Sequence, residues 1–398
     1  MKIVVVLLIA ALTVQSSFAQ DNLRYSETPL FDSASIVIEE NVVYGNAIHA
    51  FTGLPEPLEM DVYYPNANVD ATTNRPLILC IHGGGFIGGD KSEMAYQAIE
   101  FARRGFVVAN INYRLGWNCD NVLCVNCYGS NLQKAIYSAV QDARAALRYC
   151  AAHASAYGLN PHQIFINGQS AGAITGIQCA IWSQDEAIMS IPNGFELIAG
   201  DLNGSGNNES ATYSVLGIIN QCGAIDDLAH YNESIPIIHF HDSNDCIVPY
   251  QYGALISCFC SGFLSYNGSF SIHSALQTSG KCSQLHTAPQ VLPNHCTYPQ
   301  SSVIKQSACF MKSILNGYCV GISNSDIYAS PLCSYTIQSN NLPGCTYSNA
   351  LNFNPNAILD DGSCEFAITC AEDLNQDGVI GVNDLLLILG SYGQTCNP

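Results

Sequence analysis

The run Ile164-Phe165-Ile166-Asn167-Gly168-Gln169-Ser170-Ala171-Gly172 constrains this chain more than any other stretch. A β-branched and aromatic segment predicts a strand, Gly168 and Gly172 bracket a serine, and small residues then open a helix through Ile177. In so tight a strand-to-helix turn, the positions two before and two after the serine have no room for a side chain. Glycine removes the Cβ that would clash. The serine is pushed out on a strained backbone with its Oγ exposed. A G-x-S-x-G string is common by chance, so its weight comes from the flanking elements and from the partners found elsewhere. Ser170 is the candidate nucleophile.

The flanking chain reads as strands and helices in alternation. Ser35 to Val43 and Leu58 to Tyr64 are expected strands, and the apolar–polar alternation of the second suits an antiparallel edge with one wet face. Pro76 to Ile81 is an unbroken apolar run, as in a strand buried on both faces, and Gly105 to Arg114 is a second of that kind. Asn131 to Ala152 predicts a helix with Ala135, Ala139, Ala143, Ala146 and Leu147 on one stripe, and with Asp142, Arg144 and Arg148 salt-bridged or solvated. Ile181 to Tyr213, polar and rich in Gly and Asn, is expected to be a loop or small lid. Val215 to Ile219 and Ile235 to Phe240 read as buried strands, Val291-Leu292 as a short last strand, and Ser301 to Leu315 as an amphipathic closing helix. The fold class is therefore α/β, a mostly parallel sheet flanked by helices.

A serine hydroxyl needs a base to take its proton and a third group to orient that base. The acid belongs just past a strand end downstream of the serine. Asp245 sits there, in the turn closing on Val248-Pro249, with Asp242 as the rival directly after His241. The base belongs on the loop between the last strand and last helix, which points to His295, with His286 as the alternative. Three glycines follow the strand at Pro76 to Ile81, in His82-Gly83-Gly84-Gly85-Phe86. Their backbone N–H groups can approach a ligand without intervening side chains. Gly84 and Gly85, with Ala171, are the candidate donors for a developing oxyanion. This chemistry requires no metal or organic cofactor.

Of the 398 residues only 13 are Lys or Arg, and the formal net charge is −19. Such a surface repels polyanions, which argues against nucleic acid and anionic membrane as partners. Met1-Lys2, the apolar run Ile3 to Val14 and Ser17-Phe18-Ala19 read as a signal peptide cleaved after Ala19, so a secreted or cell-surface protein is expected. Nineteen cysteines fit an oxidising compartment. The odd number leaves at least one unpaired, and Cys80, inside an apolar strand, is the candidate. Cys119, Cys124 and Cys127 crowd one loop and are expected in disulfides rather than in a zinc site, because no further ligand cluster stands nearby.

Taken together, His82 to Phe86, Asn112 to Leu115, Asp142 to Tyr149, Gly168 to Gly172 and His241 to Pro249 resemble the α/β-hydrolase superfamily, in its HGGG-bearing carboxylesterase-like (esterase/lipase) branch. The resemblance spans roughly residues 58 to 315. It implies hydrolysis of a small-molecule or polymer carboxylic ester, with Ser170, Asp245 and His295 as triad. A more distant similarity to secreted polyhydroxybutyrate depolymerase-like and feruloyl-esterase-like enzymes implies a polyester or acylated polysaccharide as alternative substrates. A binding protein on a hydrolase fold and a serine peptidase are the remaining classes. One departure is Asp242, where these proteins usually carry glycine; a surface turn position is expected to tolerate it.

The remaining chain divides by composition. With residues 1–19 as signal and 20–320 as the hydrolase domain, residues 321–343 read as a linker, 344–368 as a small cysteine-closed module, and 369–398 as a calcium loop. In that loop oxygen ligands fall at positions 1, 3, 5 and 12 (Asp373, Asn375, Asp377, Asp384), Gly378 supplies the turn, and Val379 offers a carbonyl at position 7. Asp at position 12 and an exiting helix without an entering one resemble a dockerin repeat. A full dockerin has two such repeats, and only one is recognisable here. Structural Ca²⁺ is expected, and the resemblance leaves a cell-surface or cohesin-like partner open.

Overall fold

The computed structural model describes residues 23–49, 52–117, 127–231, 235–258, 263–289, 293–319 and 321–327, with short strand segments at 342–343 and 357–359. The expected signal segment, Cys119, Cys124, the expected strand at Val291-Leu292 and the expected calcium loop with Asp373, Asn375, Asp377, Val379 and Asp384 lie outside the described residues. The chain divides into two units, Met1–Tyr335 and Thr336–Pro398. Of the second, the description covers a parallel pairing of Leu342–Pro343 with Ala357–Leu359.

In the first unit the strands are β1 (Ile36–Ile48), β2 (Pro55–Pro65), β3 (Arg75–Ile81), β4 (Val107–Ile111), β5 (Leu159–Gln169), β6 (Val215–Gln221), β7 (Ala224–Ile225), β8 (Ile237–Asp242), β9 (Tyr252–Ala254), β10 (Ser265–Gly268), β11 (Ser283–Ala288) and β12 (Ile322–Asp326). The principal helices are α1 (Ala95–Ala102), α2 (Gly129–Ala152), α3 (Ala171–Ile181), α4 (Ser269–Thr278) and α5 (Gln300–Leu315). Nine strands form one sheet in the order β1-β2-β4-β3-β5-β6-β8-β11-β12. β2 pairs antiparallel with β1 and β4, and from β4 onward the neighbours are parallel.

The period of two along each strand divides the core. Leu77, Leu79 and Ile81 of β3, with Ile164 and Ile166 of β5, join α2 and α3 in one buried cluster. Ile78, Cys80 and Phe165 point the other way, into a second cluster with Phe101 of α1 and Phe310 of α5. Both faces are covered, so the central strands need apolar residues at consecutive positions. The expectation for β2 is corrected here. It lies one strand in from the edge, and Met60, Asp61, Val62 and Tyr63 are all buried.

The polar residues of α2 also differ from expectation. Asp142 is salt-bridged, but inside the protein: its Oδ1 lies 2.7 Å from Arg114 Nη2, with both side chains almost fully enclosed. Arg144 and Arg148 are buried rather than solvated, and donate to the carbonyls of Cys179 and Ser205 respectively. The expected lid at 181–213 includes two short helices, Gln184–Met189 and Glu196–Ala199.

Cys80 is free and buried, as are Cys150 and Cys179, while Cys127 is disulfide-bonded. Burial pushes the Cys80 thiol up to about 12, which leaves it a small inert hydrophobe. Disulfides join Cys222 to Cys296, Cys246 to Cys258 and Cys282 to Cys319.

Candidate active site

β3 runs on toward β4 on one side of the sheet, and β5 toward β6 on the other. β3 and β5 stay paired to their carboxyl ends, and the connections that leave them run to opposite sides, which opens a crevice where the strand order reverses. The triple-glycine loop follows β3 and the serine elbow follows β5, so both edges of the crevice are functional candidates.

Ser170 has φ +54° and ψ −119°, a conformation that costs a non-glycine residue about 1–3 kcal/mol. Surrounding bonds hold it there. Its N–H donates to Gln221 O at 2.8 Å, and its carbonyl accepts from Ala173 and Ile174 N–H. The bracketing glycines are required by contact. A Cβ on Gly168 would lie 2.2 Å from Gly172 O, and one on Gly172 would lie 2.2 Å from Ile81 O. The glycine loop itself packs on the elbow, since a Cβ on Gly83 would meet Ser170 Cβ at 3.3 Å.

Three side chains from distant segments converge. Ser170 Oγ lies 2.8 Å from His295 Nε2, and His295 Nδ1 lies 2.6 Å from Asp245 Oδ2. With the imidazole proton on Nδ1, Asp245 accepts it and Nε2 is free to accept the serine proton. The Asp245 side chain has no solvent exposure, and its other oxygen accepts from Ile247 and Val248 N–H at 2.8 and 3.0 Å. Burial alone would raise this carboxyl, but the hydrogen bonds from His241 and His295 outweigh it and hold it below its ordinary value.

His241 was not singled out as part of this constellation by sequence reasoning. Its Nε2 lies 3.1 Å from Val248 O and 3.3 Å from Asp245 Oδ2, while Nδ1 lies 2.7 Å from Ser269 Oγ. A carbonyl only accepts, so the proton sits on Nε2 and the ring donates toward Asp245.

The rivals are placed elsewhere. Asp242 is fully buried at the end of β8, which corrects the expectation of a surface turn. It accepts from Thr297 N–H at 2.9 Å and from the Thr297 hydroxyl at 3.2 Å, and so tethers the loop that carries His295. His286 lies within β11, stacked on Phe240, and burial pushes it down to about 4. β11 itself, Ser283–Ala288, is the strand that precedes the His295 loop and pairs with β8.

On the opposite edge, Gly84 and Gly85 have φ +103° and +62°. A Cβ on Gly84 would meet Gly88 O at 2.1 Å, whereas the space beside Gly85 is open. Among the described residues, no backbone hydrogen bond is donated by Gly84 or Gly85 N–H. Ala171 is the first residue of α3, so its N–H has no partner within its own helix. The loop is fastened by Trp117 Nε1 donating to Gly85 O at 2.8 Å, and by Tyr113 Oη donating to His82 O at 3.0 Å. Burial pushes His82 below its ordinary value, which favours the neutral ring.

Cys222, His295 and Cys296 bring possible metal-ligand atoms within 4.8 Å of one another. The two sulfurs are bonded to each other, which removes both thiolates as ligands.

Sheet order, crossover pattern and a serine elbow after the strand at the switch point decide the architecture. This is an α/β-hydrolase fold. The family described as BD-FAE matches residues 60–235 of the hydrolase unit, which include the glycine loop and the elbow. The cAMP-regulated D2 protein of Dictyostelium discoideum is 35% identical over 120 residues, covering 30% of this chain and 20% of that protein. Para-nitrobenzyl esterase of Bacillus subtilis (strain 168) is 33% identical over 131 residues, covering 32% of this chain and 25% of that one. A probable isoprenylcysteine alpha-carbonyl methylesterase of Oryza sativa subsp. japonica is 31% identical over 125 residues, 31% of this chain and 26% of that one. The matched segments thus span only a fifth to about a quarter of the length of these relatives. Among solved structures, Thermogutta terrifontis esterase 2 phosphorylated by paraoxon aligns with a TM-score of 0.47 at 16% identity, over 73% of this chain and 97% of that one.

Proposed function

We propose that this protein is a secreted serine carboxylesterase, with Ser170 as nucleophile, His295 as base and Asp245 as the acid that orients it. The observation that carries the reading is the hydrogen-bonded series Ser170–His295–Asp245 at the end of the switch-point strand. Similarity to two proteins named as esterases supports the reaction class.

In this mechanism Ser170 Oγ attacks the ester carbonyl as its proton passes to His295 Nε2. Asp245 stabilises the imidazolium that forms. The oxyanion is held by the N–H groups of Ala171, Gly84 and Gly85, each worth about 10²–10³ in rate if lost. His295 then protonates the leaving alcohol. Water, deprotonated by the same imidazole, releases the acid from Ser170. No cofactor enters the reaction.

Organophosphate treatment followed by peptide mapping tests the assignment, because an activated serine is phosphorylated and an ordinary one is not. The proposal expects the label on Ser170 alone. Unlabelled Ser170 in folded protein contradicts it. For the C-terminal loop we propose calcium held by Asp373, Asn375, Asp377, Asp384 and the Val379 carbonyl. Terbium luminescence lost in an Asp373→Ala, Asp377→Ala variant of the full chain tests that assignment.

A further inference from the structure

The disulfide Cys222–Cys296 lies against the His295 side chain. Cys222 directly follows Gln221, whose carbonyl accepts the Ser170 N–H at 2.8 Å. Cys296 directly follows His295, whose Nε2 lies 2.8 Å from Ser170 Oγ. A closed circuit results: Ser170 backbone to Gln221, along the chain to Cys222, across the S–S bond to Cys296, back to His295, and from its ring to Ser170. The base is one residue from this covalent link, and the nucleophile is one hydrogen bond and one residue from it.

The surroundings show why such a link matters. His295 stands on a loop outside every strand and helix, and its side chain is 23% exposed. Besides the S–S bond, the loop is held by hydrogen bonds: Thr297 on Asp242, Tyr298 Oη on Phe240 O, the bridge between Asn294 and Asp245, and His295 Nδ1 on Asp245. Both half-cystines sit at positive φ, +50° for Cys222 and +53° for Cys296, a region that side chains rarely adopt. Cys296 Sγ lies 3.7 Å from His295 Nε2, so the sulfur packs against the ring nitrogen that faces the serine. Misplacing a reacting group by about 1 Å costs about 10²-fold in rate.

We infer that the Cys222–Cys296 disulfide is a positioning element for His295, one that sets the distance between base and nucleophile. This rests on the proposed roles of Ser170 and His295. Opening the bond with a dithiol yields two protein thiols and the oxidised reagent. The His295 loop then relies on hydrogen bonds alone, and turnover falls. By contrast, Cys282–Cys319 joins the chain just before β11 to the chain after α5, at the amino end of the sheet, opposite the site.

The test uses the full chain with Cys222→Ala and Cys296→Ala, beside a second protein with Cys282→Ala and Cys319→Ala. The first should lose tenfold or more in kcat on a p-nitrophenyl ester with KM within twofold, and its organophosphate labelling should slow in proportion. The downfield proton of His295 Nδ1, seen by NMR in the parent, should broaden into solvent exchange. The second should lose melting temperature but keep kcat. A folded first variant with unchanged kcat and an unchanged imidazole proton overturns the inference. If that variant does not fold, native protein is reduced with a phosphine and its thiols mapped by alkylation. Activity falling as Cys222 and Cys296 become alkylated supports the inference, and activity retained after they are alkylated overturns it. A parent with no turnover and no Ser170 label removes the esterase reading instead. The imidazole proton then decides the positioning role: loss in the first variant supports it, and persistence overturns it.

Discussion

Gln221 holds Ser170 from behind, its carbonyl accepting the Ser170 N–H at 2.8 Å. The side chain of Gln221 is itself buried in an amide cluster, donating to Asn167 Oδ1 at 2.7 Å and to Gln97 Oε1 at 2.9 Å. Asn167 in turn donates to Gln97 Oε1 at 3.0 Å. The strained serine is thereby anchored to β6 and, through amide groups, to β5 and α1.

Truncating one member leaves buried amide groups of the others without partners, at about 1–3 kcal/mol. Gln221→Ala should lower stability by that amount in urea unfolding and reduce kcat modestly. An unchanged unfolding midpoint would count against the cluster as a support.

Asp242 at the end of β8 and Asp245 just beyond it should separate cleanly. Asp245→Asn keeps the shape but loses the acceptor that selects the His295 tautomer, so kcat should fall by about 10³–10⁴. Asp242→Asn retains an acceptor for Thr297 and should lose less than tenfold. The reverse ranking in esterase assays would move the acid role to Asp242.

Asp142 neutralises Arg114 inside the protein and also accepts the Arg114 N–H at 2.8 Å. Asp142→Ala leaves a buried guanidinium unpaired, which costs about 3–5 kcal/mol. Thermal or urea unfolding should show that loss, and a loss under 1 kcal/mol would mean the pair is solvent-relaxed.

Acid sensitivity follows from Asp70, which accepts from Arg24 and Arg75. Burial alone would raise its carboxyl, but hydrogen bonds from Arg24 and Thr72 hold it at about 2, against an ordinary 3.8. A group depressed on folding stabilises fully above its unfolded value and loses that contribution as pH falls through its folded value. Stability should therefore fall between about pH 4 and pH 2, as read from urea midpoints, and Asp70→Asn should flatten that slope. Equal slopes in the two proteins would exclude Asp70 as a cause.

Much of this was legible in the chain because the signals are local. The elbow and the glycine loop are short strings with backbone demands that glycine meets, and most of β3 and β4 and Ile164 to Ile166 of β5 are apolar because both faces are covered. His295 stands out by its place before the closing helix, and the structure sets it against Ser170 and Asp245. What escaped involved long-range partners. β11 reads Ser-Gln-Leu-His-Thr-Ala, polar enough to pass for a loop, yet Ser283, Gln284 and His286 are buried in it. Asp242 looked like a surface turn because Thr297, its partner, lies far along the chain. The Cys222–Cys296 pairing had no sequence signal, since connectivity among so many cysteines cannot be deduced from spacing. β2 was misjudged as an edge because its charged Asp61 is buried beside Lys91 rather than exposed.

The most direct measurement is turnover of p-nitrophenyl esters from C2 to C16 by the full-length protein and its Ser170→Ala variant, with folding checked by circular dichroism. The account predicts hydrolysis by the parent and a loss of at least about 10³-fold in the variant. Equal turnover by two folded proteins would contradict it.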